Sequence, residues 1–180
     1  MHPVLLQTPW VTLYTYGLLV ASGALLAFVL TLRMAPSAGI SKAEAADLVL
    51  LLFVSGIVGA RSFYVGQHPE QYVGRFWHAW SLQEGGLVWY GGFILAVIAG
   101  VLYAAVKRLS VMKLCDLFSP VAALAHALGR LGCFFNGCCY GREASLPWGV
   151  SFGPGAPPRL PTQLYEAVFL WALGIHLMLI

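Results

Sequence analysis

Five stretches of this chain are each apolar enough, and close enough to 20 residues, to cross a bilayer, and two of them carry an arginine. That combination constrains the fold more than anything else in the sequence. In hydrocarbon, backbone amides must be satisfied within the protein, so isolated apolar runs of this length fold as transmembrane helices. The runs cover about residues 14–32, 46–66, 86–106, 115–135 and 163–180. A guanidinium near the bilayer centre costs roughly 2.5–3.5 kcal/mol on insertion scales, which makes Arg61 and Arg130 markers of a functional site.

Composition agrees. The 180 residues are 59% hydrophobic and only 9% charged, with a mean hydropathy of +0.79. Soluble domains carry about 25% charged residues, so this chain has too few charges to cover a water-facing surface. The expected architecture is all-α, a polytopic transmembrane helical bundle that forms one membrane-embedded domain over residues 1–180. A net charge of +3 comes from scattered loop lysines and arginines. They form no patch dense enough for nucleic acid, and no nucleic-acid partner is expected. Residues 1–10 contain no lysine or arginine, so the first run lacks the basic start of a cleaved signal peptide and is expected to be a retained helix. The last run ends at Ile180 without a basic anchor or polar tail, which looks like an interruption.

Loop charges orient the helices, because cytoplasmic loops carry the excess of lysine and arginine. Arg33 and Lys42 follow the first run, and Lys107, Arg108 and Lys113 follow the third. The other side offers Arg75, Arg142 and Arg159. The N-terminus is therefore expected outside. In that orientation Arg61 and Arg130 lie about five residues, or ~8 Å at 1.5 Å per residue, below the outer ends of their helices. Tyr14, Tyr16, Tyr90, Gln163, Tyr165 and Glu166 fall near the same level. A single arginine one or two turns from a helix end can snorkel to the interface, and aromatic belts are ordinary. Two arginines, a glutamate and two amides at one depth point instead to a site at the outer leaflet. Gly56-x-x-Gly59, Gly91-Gly92 and Gly129-x-x-Gly132 offer close helix approach. Gly85-Gly86 and Gly91-Gly92, which flank Tyr90 at a helix start, are also placed to bring a lipid head group near the backbone.

Arginine presents a planar fork of donors matched to phosphate, so the layer suits an anionic phospholipid entering from the side. Glu166 is read as a base or as a counter-ion, and Asn136 and Gln163 as hydrogen-bonding partners of phosphate or glycerol hydroxyls, or of exposed backbone at the helix ends.

Five segments carry a family resemblance: Tyr14-Thr15-Tyr16-Gly17, Gly59-Ala60-Arg61, Gly85-Gly86-Leu87-Val88-Trp89-Tyr90-Gly91-Gly92, Gly129-Arg130-Leu131-Gly132-Cys133-Phe134-Phe135-Asn136-Gly137 and Pro161-Thr162-Gln163-Leu164-Tyr165-Glu166. In this order they resemble bacterial prolipoprotein diacylglyceryl transferase over nearly the whole chain. The G-R-x-G-x-F-x-N-G signature is the most specific of them. The resemblance implies a multi-pass enzyme of the bacterial inner (cytoplasmic) membrane with its site on the periplasmic side. Such an enzyme transfers the diacylglyceryl group of phosphatidylglycerol to the lipobox cysteine thiol in a prolipoprotein signal peptide, the first step of lipoprotein maturation, without a cofactor or metal. On that reading Arg130, Arg61, Tyr90 and Glu166 are catalytic, and Tyr16, Gly91, Gly92, Asn136, Gly141 and Gln163 bind substrate. The chain departs from the family pattern at Tyr90, where a histidine proposed as a base is frequent, at Cys133 in place of asparagine, and at Cys138 in place of an acidic residue. A later arginine-containing segment of the family has no counterpart, so a C-terminally truncated fragment or a reduced paralogue is expected.

Two other function classes compete. One is a metal or redox membrane protein built on Cys133, Cys138 and Cys139. These lack the paired spacing of a tetrahedral zinc site. Cys115 and Cys133 are expected to be buried structural cysteines, and Cys138 or Cys139 to form a disulfide if the compartment is oxidising. The other is a non-catalytic lipid-binding paralogue. Transporters show repeated halves and sites at the bilayer midplane, and this sequence shows neither. His126 is read as a packed helix histidine, with a proton relay as the alternative.

Overall fold

The structure, a computed structural model, describes residues 4–8, 12–74, 76–81 and 85–180. Arg75, one of the charges used for orientation, lies outside the described residues. A short antiparallel hairpin pairs β1 (Val4–Gln7) with β2 (Thr12–Tyr14) through a bulge between Val4 and Leu6. Helices follow: α1 (Thr15–Met34), α2 (Lys42–Gln67), α3 (Trp89–Lys107), α4 (Val111–Asn136) and α5 (Thr162–Leu179). Each is long and apolar enough to cross a membrane, and only 17–39% of each apolar window is buried within the protein. The remaining apolar surface is what lipid would cover.

Helix ends depart from the apolar runs where local chemistry overrides hydropathy. α2 begins at Lys42 because Ser41 caps it: its hydroxyl accepts the Glu44 amide at 3.2 Å, and the Glu44 carboxylate accepts the Ser41 amide at 3.1 Å. That reciprocal box satisfies amides that a helix start leaves open. α3 starts at Trp89, later than hydropathy implies, because Gly85 and Gly86 are left-handed (φ 73° and 77°) and Val88 is extended. α4 continues through Pro120 and stops at Asn136, where Gly137 turns left-handed at φ 72°. Glycine is favoured there because it has no Cβ to clash.

The chain packs as two units, one built from residues 1–33 with 115–180 and the other from 34–114. In the first, α4 lies between α1 and α5. Gly23 of α1 brings its backbone against Ala125 and Leu128, and Gly132 of α4 leaves room for Tyr16. Gly174 of α5 sits over Pro120 and Leu124, so α5 runs antiparallel to α4. Leu117, Val121, Leu124, Ala127 and Ala167 form the buried centre. In the second unit α2 and α3 pack through glycines. A side chain at Gly92 would meet the Gly56 carbonyl at 2.7 Å, and one at Gly91 the Gly59 carbonyl at 2.6 Å. The Tyr103 hydroxyl ties the other end by donating to the Glu44 carbonyl at 3.1 Å.

Two readings of single residues are corrected. Cys115, expected to be buried, is exposed, because it lies on the side of α4 away from the row formed by Leu114, Leu117 and Val121. His126 is likewise exposed, beside the buried Ala127, and is not packed in a core.

Candidate active site

Within the first unit, the end of α4 and the start of α5 are joined by a long loop, residues 137–161, with defined structure. Glu143 and Arg159 pair at 2.7 Å, and the Arg159 guanidinium lies over Tyr140, 5.0 Å from the ring centre. Backbone bonds link Ala144 to Pro158, Val150 to Arg159 and Leu160 to Arg142. Gly141 sits where a side chain would meet Leu160 and Thr162. It lets the loop lie flat on the start of α5. Arg159 and Glu143 were not singled out by the sequence, because nothing in their spacing marks a pair 16 residues apart.

At this junction Arg130 forms an ion pair with Glu166. The arginine side chain is 21% exposed and the glutamate 45%. Gln163, one turn before Glu166 and so on the same helix face, is fully buried (0% exposed) and donates to the Cys138 carbonyl at 2.6 Å. Thr162 likewise donates to the Cys139 carbonyl at 3.2 Å. Asn136, exposed at the helix end, reaches the Cys138 sulfur at 3.6 Å. Two buried polar atoms lack partners among the described residues: Arg130 Nε and Gln163 Oε1. Each such group costs about 1–3 kcal/mol, and native proteins seldom carry one without a role. Arg130 Nε is a donor and Gln163 Oε1 an acceptor, and a phosphodiester with a neighbouring hydroxyl offers a partner for each.

Arg61, in the second unit, is used differently. It is 1% exposed, the largest fully buried side chain in the described structure. Its Nε donates to the Ala79 carbonyl at 2.6 Å, Nη2 to His78 at 3.0 Å, and Nη1 to the carbonyls of Gly85 and of Gly86, the latter at 3.1 Å. These take up four of the five N–H donors a guanidinium has. Tyr64 and Tyr72 flank it at 5.6 and 5.5 Å. From sequence, Arg61 is expected to face phosphate. In the structure its fork is filled by backbone, and it fixes the segment that leads into Tyr90. The Val88 amide completes that attachment by donating to the Ala60 carbonyl at 3.0 Å.

The remaining expected residues fall into two groups. Tyr16 lies beside Gly132 and the cysteines that follow it, in the unit of Arg130. Tyr90 is 69% exposed at the start of α3, with its ring edge-on to Trp89. Gly91 and Gly92 are buried against Gly59, Phe63 and Gly56 of α2. Their lack of side chains is explained by helix contact, and they offer no open backbone to a head group.

Five apolar helices, a partly exposed arginine–glutamate pair and an ordered loop at one helix end define a multi-pass membrane protein with a polar site at a helix junction. The family model for prolipoprotein diacylglyceryl transferase matches residues 3–180, and the chain belongs to that family. Similar proteins include phosphatidylglycerol–prolipoprotein diacylglyceryl transferases of Clostridium tetani (32% identical, over 99% of this chain and 73% of that protein) and Geobacter sulfurreducens (34%, 93% and 66%). That of Finegoldia magna is 35% identical over 85% of this chain and 61% of its own length. The chain thus spans roughly two thirds of the length of these relatives.

Proposed function

We propose that this chain carries the diacylglyceryl transfer named for its relatives: from phosphatidylglycerol to the cysteine thiol of a prolipoprotein lipobox, at the periplasmic face of the bacterial inner membrane. The sulfur attacks the glyceryl carbon that bears the phosphodiester. A C–S bond forms, the C–O bond breaks, and its electron pair leaves on the phosphate of glycerol phosphate. The phosphate passes from one negative charge towards two, so a cation that faces it stabilises the transition state more than the ground state.

The observation that carries this reading is the Arg130–Glu166 pair at the α4–α5 junction, with Arg130 Nε and Gln163 Oε1 both without partners among the described residues. Arg130 takes the phosphate. Glu166 orients the guanidinium and accepts the thiol proton. Gln163 Oε1 accepts from a glycerol hydroxyl, while Asn136, Gly141 and Tyr16 shape the same end of their unit. In the other unit Arg61 acts through the backbone before α3, where the exposed Tyr90 ring combines an apolar body with a polar tip. The loop charges at Arg33, Lys42, Lys107, Arg108 and Lys113 support an outward-facing 137–161 loop.

The test is direct. The chain in phosphatidylglycerol-containing liposomes is incubated with a lipobox peptide, and the diacylglyceryl thioether is sought by mass. Product that falls tenfold or more in Arg130→Lys and disappears with a cysteine-to-serine peptide supports the reading. Equal product from Arg130→Lys would overturn the assignment of Arg130.

A further inference from the structure

Three of the four cysteines converge just beyond Arg130. The sulfurs of Cys133, Cys138 and Cys139 all lie within 4.8 Å of one another. The sequence groups the three, two adjacent and the third a turn back on α4, and the fold brings their sulfurs together. The turn does the work. Gly137 (φ 72°) and Cys139 (φ 61°) both take left-handed backbone, and the Cys138 amide donates to the Cys133 carbonyl at 3.1 Å, folding the segment back on the helix end. From the other side, Gln163 and Thr162 of α5 hold the carbonyls of Cys138 and Cys139. The three sulfurs are therefore presented by a segment anchored at both ends.

We propose that Cys133, Cys138 and Cys139 form a three-thiolate site for a soft divalent cation of the zinc class, with its fourth position open. Zinc–sulfur bonds of about 2.3 Å place tetrahedral sulfurs about 3.8 Å apart, so side-chain rotation of the order of an ångström closes the site. Three thiolates around a divalent ion carry one net negative charge, and Arg130, one turn before Cys133 on α4, brings a positive charge to the same helix end. The Asn136 amide, 3.6 Å from the Cys138 sulfur, donates to it, as partners of metal thiolates do. Cys133 and Cys138 are half-buried and Cys139 is exposed, which gives an entry path and leaves the outer side for water or another small ligand. Sites with three protein ligands and an open position are the kind zinc uses when it binds something further. The proposal does not rest on the transfer reaction.

The reduced full chain in detergent is titrated with Co2+ and then Zn2+. One Co2+ per chain is expected, with intense sulfur-to-metal absorption that Zn2+ abolishes. Cys133→Ser, Cys138→Ser and Cys139→Ser should each weaken binding at least tenfold, whereas Cys115→Ser should not. As a check independent of variant folding, Zn2+ should slow alkylation of the three clustered cysteines in the unmodified chain and leave the rate at Cys115 unchanged. Metal binding that survives the Cys138→Ser/Cys139→Ser double substitution overturns the proposal. So does a chain that is isolated with a disulfide in the cluster and binds no metal once reduced, or alkylation rates that ignore Zn2+ at all four positions.

Discussion

Arg61→Lys separates two roles that a conserved charge would leave merged. Lysine keeps the charge but replaces a planar fork with one nitrogen and three donors. The four carbonyls held by Arg61 belong to two stretches, His78 with Ala79 and Gly85 with Gly86. A single ammonium serves one stretch and leaves the other. Hydrogen bonds to a charged group are worth about 1.5–3 kcal/mol each, so losing two, with partial compensation by water, costs about 3 kcal/mol of local stability. His78 keeps the Ser81 amide as a second donor, which places the larger loss at Gly85 and Gly86. Since ~1.4 kcal/mol is tenfold in an opening equilibrium, the Val88 amide bonded to Ala60 should exchange with deuterium roughly a hundredfold faster. Hydrogen-exchange mass spectrometry on peptides covering residues 85–90 reads this, with peptides from α5 as the unaffected reference. If exchange at 85–90 is unchanged in Arg61→Lys while lipid turnover is lost, Arg61 meets phosphate directly and the loop-holding account is wrong.

Other outcomes follow from the same geometry. Gly59→Ala should destabilise the α2–α3 pair by about 1–3 kcal/mol, seen as a lowered melting temperature in detergent, because a side chain there runs into the Gly91 backbone and Leu95. Gly56→Ala, with nothing within 4 Å of the added carbon, should leave melting unchanged, and equal losses would show the helices to be packed otherwise. Arg130→Lys should lower thioether formation tenfold to a hundredfold, the worth of one charge-assisted bond, with membrane insertion intact. Gln163→Met keeps the volume but removes the bond to the Cys138 carbonyl, and should loosen residues 137–141 to limited proteolysis without unfolding α5. Reporter fusions at Ser37 and Ser110 should read as cytoplasmic, and a periplasmic signal at both would invert the proposed topology.

Hydropathy located the five helices because lipid-facing surface dominates this chain. It misjudged their ends wherever a few polar contacts decide, as at the Ser41–Glu44 box and the left-handed Gly85 and Gly86. The candidate site was legible to the extent that it lies on one helix face. Gln163 and Glu166 are three residues apart, and the expectation that Glu166 serves an arginine needed only that spacing and a neighbouring helix. Arg61 shows where such reading stops. Placed by depth alone it looks like a twin of Arg130, but what an intramembrane arginine does depends on what its fork meets. The carbonyls that meet it belong to His78, Ala79, Gly85 and Gly86, whose sequence gives no sign that they gather around an arginine. The same holds for the cysteines: their convergence depends on a turn with two positive φ angles and on a helix that arrives 25 residues later to hold the Cys138 carbonyl. Depth in the membrane is a one-dimensional property and can be read from order along the chain. Donor-by-donor satisfaction is not, and it is the latter that makes one arginine a brace for the backbone and leaves the other with a nitrogen to spare.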